Sequence, residues 1–555
     1  MKKITSLLMA ILMLATCVLP VCAASAVKAD ESQLPVIYIV GKQNTPVYKL
    51  DENGNFALDE NGKRIAVDNV NTPMGMSRGD YIKSQLEPVL SKLGPAIITN
   101  DYDEYLDALI GAVAPIYEDL VLDGNAEDPD GSIDWDYSVQ KPSYGAGGLK
   151  YYYFRYDWRF SPYDTADELH RFVEYVCEKE GVDKVNIHAR CYGSNVAMAY
   201  IAKSEAGLYG DIPFRVNNIC LNTTPLDGYI AIGALMSGQI EFDAETIDRF
   251  VTFYLNNNDL FDDPMLEDFL TILVSLVNQV KILGLGTLAM TAFYNKIAEE
   301  LIPRAALVCY GSFPSYWSMI GARYYEKARA TVFNTEERRT EYAVFIEKLD
   351  NYYNLVGAIE EETGKPLYAS LIKRCDEKFG MKTAVFAKYG YATVPLFEDS
   401  DITGDARGTV TELSLGAIGT VVGETFTEKQ LNELKAMPDY NEKYLSADKK
   451  VYAGTCLLPE TTWFSKNLYH DQLTQIDPVA TAFFLSDGQL TVNDERFPQF
   501  HEYVDGQFVP VTEEDETNDL WSNNFFDVIF RFFRKLIDLI KSLFNKAPAA
   551  ETVVA

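Results

Sequence analysis

Basic residues are scarce in this sequence relative to acidic ones. The chain has 555 residues, with 49 lysines and arginines against 81 aspartates and glutamates, and a formal net charge of −32 at pH 7. A surface this acidic repels a phosphate backbone, so we expect no nucleic-acid partner. The hydrophobic content of 47% excludes a disordered chain, and the length suits one large domain or two ordinary ones.

Cysteine and histidine are also few. Two of the eight cysteines lie in the apolar N-terminal segment, and the remaining six are scattered without metal-ligand spacing, so the sequence predicts neither a metal site nor a cofactor. A core this large does not depend on disulfides, so at least one thiol should be free. The six are Cys177, Cys191, Cys220, Cys309, Cys375 and Cys456. Because there are only four histidines, few side chains can serve as a general base.

The N-terminus has the pattern of a secretory signal peptide. Lys2 and Lys3 precede a mostly apolar run over 4–21, and Ala-Ser-Ala at 24–26 fits a small-x-small cleavage site. We therefore predict a signal peptide over residues 1–26 and an extracellular or cell-surface protein. The alternative is an uncleaved membrane anchor.

Residues 183–200 contain the most informative pattern in the chain. A short β-branched segment leads through Ala189-x-Cys191-x-Gly193 into residues with apolar side chains at helical spacing. This is the pattern of a nucleophile elbow, in which a strand turns sharply into a helix and small residues flank the strained central position. Cys191 stands where a serine is usual, and a thiolate can perform the same attack. The alternative is an ordinary buried cysteine near a strand end.

Further strand and helix patterns surround this segment. Buried strands are predicted within 35–40, 151–156, 216–221 and 382–391, and a helix from near Asp164 to Gly181. These patterns predict an α/β protein in which helices flank a mostly parallel central sheet. Over 229–379 the pattern changes to long helical segments, at 244–254, 265–280 and 340–355, which indicates an inserted helical cap.

Several motifs together resemble the lecithin:cholesterol acyltransferase and lysosomal phospholipase A2 family. They are Tyr-Asp-Trp-Arg at 156–159, the elbow at 189–194, a Pro-containing turn at 222–228, Tyr-Gly-Tyr at 389–391 and Gly-Asp…Gly-Thr-Val over 404–410. The resemblance covers most of 35–475. It implies an α/β-hydrolase fold and ester hydrolysis or acyl transfer on lipids.

The first of these motifs has two interpretations. The resemblance implies that Asp157 and Arg159 tie a loop together, while Trp158 packs beside the entrance of the active site. The alternative is a strand-end ion pair beside a core tryptophan.

The resemblance also suggests the acid of a catalytic triad. The family aspartate that orients the catalytic histidine corresponds to Asp405, although two extra residues, Ala406 and Arg407, interrupt the pattern here. Asp401 remains an alternative. A calcium loop is not favoured, because the glycine and glutamate positions of an EF-hand are absent.

His470 is the predicted base, since it follows the β-rich segment 461–466 and a hydrolase places its base after the last strand. His188 should be packed within the elbow strand, His170 should lie on a helix surface, and His501 is the alternative base.

These residues predict a cysteine-dependent acyl-enzyme mechanism. His470 takes the proton of Cys191, Asp405 fixes the imidazole tautomer, and a thioester intermediate forms. The backbone N–H groups of Lys42, after the first strand, and of Tyr192, after the nucleophile, are the predicted oxyanion hole.

The segment 525–545 predicts an amphipathic helix. Its polar residues fall within an arc of roughly 120° at about 100° per residue, and the rest of the circumference is apolar. The polar face is net positive in an acidic protein, which favours a helix on a lipid surface. The alternative is a helix packed on its own domain or on a second copy.

The predicted organisation is a signal peptide over 1–26, hydrolase core over 27–228, a cap over 229–379, core again over 380–515 and an interfacial helix over 520–546. The predicted function is a secreted, membrane-associated hydrolase or acyltransferase of the lipase class, acting on a lipid or other ester. The alternative is a catalytically inactive fold that binds lipid or serves as a membrane-attached interaction module. The sequence does not determine the oligomeric state.

Overall fold

The centre of the molecule is a nine-stranded sheet. We describe it from a computed structural model that covers residues 33–41, 45–67, 84–85, 87–99, 101–239, 300–394, 397–472, 477–504 and 506–513. The predicted signal peptide, Lys42, the cap segments at 244–254 and 265–280, and the interfacial helix over 520–546 lie outside these residues.

Thirteen strands are present in the described residues. They are β1 Val36–Ile39, β2 Val47–Lys49, β3 Gly131–Ile133, β4 Ser143–Tyr144, β5 Lys150–Phe154, β6 Val185–Arg190, β7 Val216–Asn222, β8 Lys382–Tyr389, β9 Ile418–Gly419, β10 Val451–Tyr452, β11 Thr462–Lys466, β12 Phe500–Val504 and β13 Gln507–Pro510.

The order in the main sheet is β13-β12-β11-β8-β7-β6-β1-β5-β4. Its seven central strands are parallel, and the two edge strands β13 and β4 pair antiparallel with their neighbours. The prediction of an α/β protein with a mostly parallel central sheet is confirmed.

Helices cover both faces of this sheet, as a parallel sheet requires. The helices in the described residues are α1 Leu90–Thr99, α2 Asp103–Tyr117, α3 Pro162–Glu180, α4 Gly193–Glu205, α5 Ile230–Met236, α6 Pro314–Trp317, α7 Ala322–Val332, α8 Glu336–Glu341, α9 Ala343–Tyr352, α10 Leu367–Phe379, α11 Val410–Leu413, α12 Glu428–Lys435 and α13 Asp477–Leu485. The sheet is apolar on both faces: Ile187 and Leu221 belong to one buried cluster, and Cys220, Phe386 and Trp463 to another.

Helix α3 begins one turn earlier than the sequence predicted. Ser161 caps it by accepting the N–H of Tyr163 at 3.2 Å, and Pro162 occupies the first helical position. Proline is favoured there because its missing N–H would have no partner in the helix, so the N-cap is Ser161 and not Asp164. The C-terminal end is as predicted, since Gly181 adopts the left-handed conformation with φ +67°.

The described part of the predicted cap, 300–379, is helical and packs on the core next to the elbow. The predicted helix over 340–355 is α9, followed by a single π-helical turn at Tyr353–Gly357. Asn195 Nδ2 donates to the Ser318 carbonyl at 2.7 Å, and Tyr229 N donates to the Met319 carbonyl at 2.9 Å. These bonds fasten the segment around 318 to the first turn of α4 and to the loop that follows β7.

Candidate active site

Cys191 lies in the turn between β6 and α4. Every residue of β6 is buried, and Cys191 then adopts φ +49°, a left-handed conformation that non-glycine residues seldom occupy. Its N–H donates to the carbonyl of Asn222 at the end of β7, at 2.8 Å. The side chain is partly exposed. A strained residue between a buried strand and a helix is the backbone arrangement of a nucleophile elbow.

Gly193 allows the elbow to pack against the end of β1. A Cβ at this position would lie 2.7 Å from the Val40 carbonyl oxygen and 2.8 Å from that of Ile39. Tyr156 fixes the same end of β1, because its hydroxyl donates to the Val40 carbonyl at 2.7 Å. The need for a small residue here comes from this contact between two backbones.

Gly193→Ala is expected to destabilise the protein by about 1–3 kcal/mol. The new methyl group would clash with two backbone carbonyl oxygens, which cannot move without a shift of β1. Urea denaturation would measure the change. Gly111→Ala is the matched control: Gly111 lies within α2 with no atom within 4 Å of its added Cβ, so this variant should be neutral or slightly stabilised. Equal stability of the two variants would contradict the expectation.

His470 and Asp405 form a buried hydrogen-bonded pair. His470 Nδ1–H donates to Asp405 Oδ2 at 2.7 Å, and the backbone N–H of His470 donates to the Asp405 carbonyl at 2.9 Å. The side chain of Asp405 is fully buried. It is thus Asp405, and not the alternative Asp401, that contacts the imidazole.

Ala406 and Arg407, which follow Asp405, form a turn around its carboxylate. Ala406 has φ +74°, and Asp405 Oδ1 accepts the N–H groups of Arg407 and Gly408, each at 3.0 Å. The carboxylate therefore has one oxygen bound to backbone and the other bound to His470. This arrangement fixes the orientation of the imidazole.

The other three histidines have separate surroundings. His501, the alternative base, is buried on β12, where Nε2 pairs with Ser465 Oγ at 2.7 Å and Nδ1 with the Pro498 carbonyl at 2.9 Å. Burial lowers its pKa and that of His188 to about 4. The expectation of a surface His170 is wrong, since its half-buried ring stacks on Tyr209 with centroids 3.9 Å apart.

The electrostatics of the site favour a thiolate beside an imidazolium. Burial alone would raise the pKa of Cys191, but His470, Arg190 and Arg407 together lower it to about 7. Burial alone would lower the pKa of His470, but Asp405 and the Cys191 thiolate raise it to about 9. Because Nδ1 is bound to Asp405, the interaction of the imidazole with Cys191 falls to Nε2, which is buried and has no other hydrogen-bond partner among the residues that the structure describes.

Tyr229 was not predicted, yet its side chain lies beside the reactive groups. Its hydroxyl donates to the Thr223 carbonyl at 3.1 Å and lies 3.9 Å from Cys191 Sγ. Its ring stands edge-on to that of His470, with centroids 6.3 Å apart. A Cβ on Gly408 would come within 2.7 Å of this ring, so that glycine makes room for the tyrosine. The only sequence signal was its place in the loop after β7.

Lys388 was also missed, and it anchors the loop that carries His470. The side chain is fully buried, and Nζ donates to the carbonyls of Tyr469 at 3.0 Å, His470 at 2.7 Å and Gln472 at 2.6 Å. Burial lowers its pKa to about 7. A lysine directly after the apolar run Ala384–Ala387, near the carboxyl end of β8, was the available signal.

The predicted oxyanion donors are only partly described. The N–H of Tyr192 stands at the start of α4, immediately after Cys191, and donates to no group in the described part of the chain. The Tyr192 hydroxyl donates to the Phe160 carbonyl at 2.7 Å, which fixes the residue. Lys42 lies outside the described residues, two positions beyond Val40.

The motif at 156–159 is an internal ion-pair cluster. Arg159 is fully buried, donates to both oxygens of Asp157 at 3.0 and 2.7 Å, and also pairs with Asp128 at 2.5 Å. Trp158 is 1% exposed and packs edge-on against Phe313. Asp157 and Arg159 thus hold the loop together, and the burial of Trp158 favours the alternative interpretation, a core tryptophan.

Comparisons with known proteins add little to this geometry. No family model matches the sequence, and no curated protein matches it. The chain is similar to one from the solved structure described as "The crystal structure of Tle4-Tli4 complex", with 14% identity and a TM-score of 0.17. The match covers 37% of this chain and spans about half (48%) of that one. A similarity this low supports neither a shared fold nor a shared function.

Metal-binding clusters and membrane-spanning helices are both absent from the described residues. Over the residues that the structure covers, no three His, Cys, Asp or Glu side chains are placed to hold a metal ion. The same residues include no helix with the length and hydropathy to cross a membrane.

Proposed function

We propose that this protein is a cysteine-dependent carboxylic-ester hydrolase or acyltransferase with an α/β-hydrolase fold. The observation that carries the proposal is Cys191 at φ +49° between a buried strand and a helix, with a His470–Asp405 pair electrostatically coupled to it. An ordinary buried cysteine would have a raised pKa, as Cys220 has, whereas that of Cys191 is lowered.

The topology supports the same proposal. Cys191 follows β6, Asp405 lies in the connection after β8, and His470 follows β11, and these are parallel strands of one sheet. Loops at the carboxyl ends of parallel strands gather at one edge, where α/β proteins place their ligands. The chain order nucleophile, acid, base is that of the α/β hydrolases.

The mechanism follows from the roles of these groups. The Cys191 thiolate attacks the ester carbonyl carbon, and the Tyr192 N–H stabilises the resulting oxyanion. His470 Nε2 donates its proton to the leaving alcohol as the C–O bond breaks, which leaves a thioester on Cys191. Neutral His470 then removes a proton from water or from an acceptor alcohol, which attacks the thioester and releases the acid or a new ester. Asp405 holds the imidazole throughout.

The class of substrate and the location are separate parts of the proposal. The family resemblance supports a lipid ester, and the amphipathic pattern over 520–546 supports action at a membrane surface. The signal-peptide pattern over 1–26 supports secretion.

Ester turnover is expected to follow a bell-shaped pH profile. Activity should rise as pH passes about 7, where the Cys191 thiol becomes a thiolate, and fall above about 9, where His470 loses the proton that the leaving group needs. The two apparent values belong to the coupled pair. Measurement of kcat/KM between about pH 5 and pH 10 checks this. An acid limb near 9.0, the ordinary thiol value, would contradict it.

Acylation of Cys191 tests the proposal directly. The purified protein is mixed with a short p-nitrophenyl ester, quenched in acid and digested, and each cysteine peptide is analysed by mass spectrometry. We expect an acyl group on Cys191, and none on Cys191 in the His470→Ala variant. Cys309, the other partly exposed thiol, is the internal control, because burial raises its pKa to about 11. A folded protein that shows no adduct and no turnover with short or long esters would overturn the proposal, and would favour an inactive lipid-binding fold.

A further inference from the structure

Three charged residues next to the predicted triad form one network. Arg190 immediately precedes Cys191, Asp471 immediately follows His470, and Arg407 lies two residues after Asp405. Arg190 Nη2 contacts Asp471 Oδ1 at 2.7 Å, and Arg407 Nη2 contacts Asp471 Oδ2 at 3.0 Å. One carboxylate therefore joins the three segments that carry the cysteine, the acid and the histidine. We call Arg190, Asp471 and Arg407 the clasp.

The clasp differs from an ordinary surface ion pair. The side chain of Arg190 is 11% exposed and that of Arg407 is 26% exposed, so both guanidinium groups are largely withdrawn from water. The shared Asp471 carboxylate is 48% exposed, so the burial of the network comes from the arginines. Isolated exposed pairs contribute little to stability, whereas several charges joined in one network can contribute more. Arg407 is also bound through its backbone, because its N–H donates to Asp405 Oδ1 at 3.0 Å.

We propose that the clasp is a positioning device that holds the loops of Cys191, Asp405 and His470 in register, and that Arg407 and Asp471 are positioning residues for the reaction. This inference rests on the proposed function. It also accounts for the two-residue interruption of the Gly-Asp-Gly pattern, since Arg407 is one of the two extra residues.

The charge of the clasp has a second effect on the site. Two arginines and one aspartate leave one net positive charge beside Cys191, which favours the thiolate. Several other groups also interact electrostatically with Cys191 or with His470, and the charge of the clasp adds to their effect. They are His470 with Asp405 behind it, Lys388, Tyr156 and Tyr229.

Alkylation of the thiol tests the charge effect without any ester. The rate of Cys191 modification by iodoacetamide is measured against pH for Arg407→Gln and Arg407→Lys. Arg407→Gln should shift the acid limb to higher pH and slow alkylation roughly 3- to 10-fold near pH 6.5. Arg407→Lys keeps the charge and should stay close to the wild type. If alkylation of Arg407→Gln accelerates at the same pH as alkylation of the wild type, the charge effect is wrong.

Ester kinetics of Asp471→Asn test the positioning effect. Removal of the carboxylate charge makes the site more positive, so the acid limb of alkylation should move to lower pH. The loops nevertheless lose their common partner, so kcat should fall roughly 10-fold with KM changed less than about twofold. Asp471→Glu should restore part of kcat. Asp167→Asn is the control, since Asp167 is 46% exposed against 48% for Asp471 and pairs with buried Lys203 remote from the site. Equal kcat in both asparagine variants would overturn the inference.

Failure of this inference is distinguishable from failure of the proposed function. If the inference alone is wrong, wild-type protein still forms the acyl adduct on Cys191 and the clasp variants behave like the wild type. If the proposed function is wrong, no adduct forms, while iodoacetamide still reports whether Arg407 tunes the thiol.

Discussion

Cys191→Ala is expected to lower kcat/KM for ester hydrolysis by about 10⁴-fold or more, because every covalent step passes through this sulfur. Cys191→Ser tests more specifically whether the site requires a thiolate. A hydroxyl does not ionise near neutral pH, so the serine variant has no anionic nucleophile beside the imidazole. The pKa of His470 should also fall in this variant, because the thiolate that helps to raise it is gone. We therefore expect serine to lower kcat/KM at least roughly 100-fold, although it is the usual residue in an elbow.

A p-nitrophenyl ester assay on purified variants would measure both losses. Cys309→Ala is the matched control, since Cys309 is also a partly exposed free thiol, held by a 3.3 Å contact to the Ala305 carbonyl. If Cys191→Ala retains substantial turnover while Cys309→Ala loses it, the assignment of the nucleophile is wrong. If serine restores full activity, the site is not adapted to a thiolate.

Asp405→Asn is the second large effect, with an expected loss of roughly 10³–10⁴-fold in kcat. An amide at this position no longer selects the tautomer with a proton on Nδ1. It also removes the anion that raises the pKa of His470, so the alkaline limb of the profile should move to lower pH.

The kinetics of Asp405→Asn need a check on folding, because the native carboxylate also accepts two backbone N–H groups of its own turn. Circular dichroism and thermal denaturation would supply it. Asp401→Asn is the control that follows from the sequence, where Asp401 was the alternative acid. Comparable losses in the two variants would contradict the assignment of Asp405.

The α/β class was accessible from sequence because its signals are local. Strand β6, its turn and α4 are contiguous in the chain, and their apolar spacing and small residues at 189 and 193 are visible without a structure. Helix α3 shows the limit of such signals. Asp164 and Ser161 are both acceptable caps in sequence, and Pro162 decides between them.

The neighbourhood of the site was less accessible, because it depends on distant segments. His470 was chosen by its place after a strand, but the carboxylate that contacts it comes from 65 positions earlier. Tyr229, Lys388 and Asp471 carry no motif. Each matters because of what it contacts in the folded protein. Tyr229 lies beside the Cys191 sulfur, Lys388 binds three loop carbonyls, and Asp471 pairs with two arginines. His170 was misplaced for the same reason, since Tyr209 covers it from outside its own helix.

The pairing of β7 with β8 governs when the site can form. These neighbours come from distant parts of the chain: Lys382 N donates to Asn218 Oδ1 across 164 positions. Contacts between such remote segments form slowly, because a long loop must close before any of them contributes stability. We therefore expect Cys191 to react like an ordinary thiol until β8 and β11, whose following loops carry Asp405 and His470, have joined the sheet. A fast-reacting thiol should then appear late in folding, only after the sheet that brings the three loops together is complete.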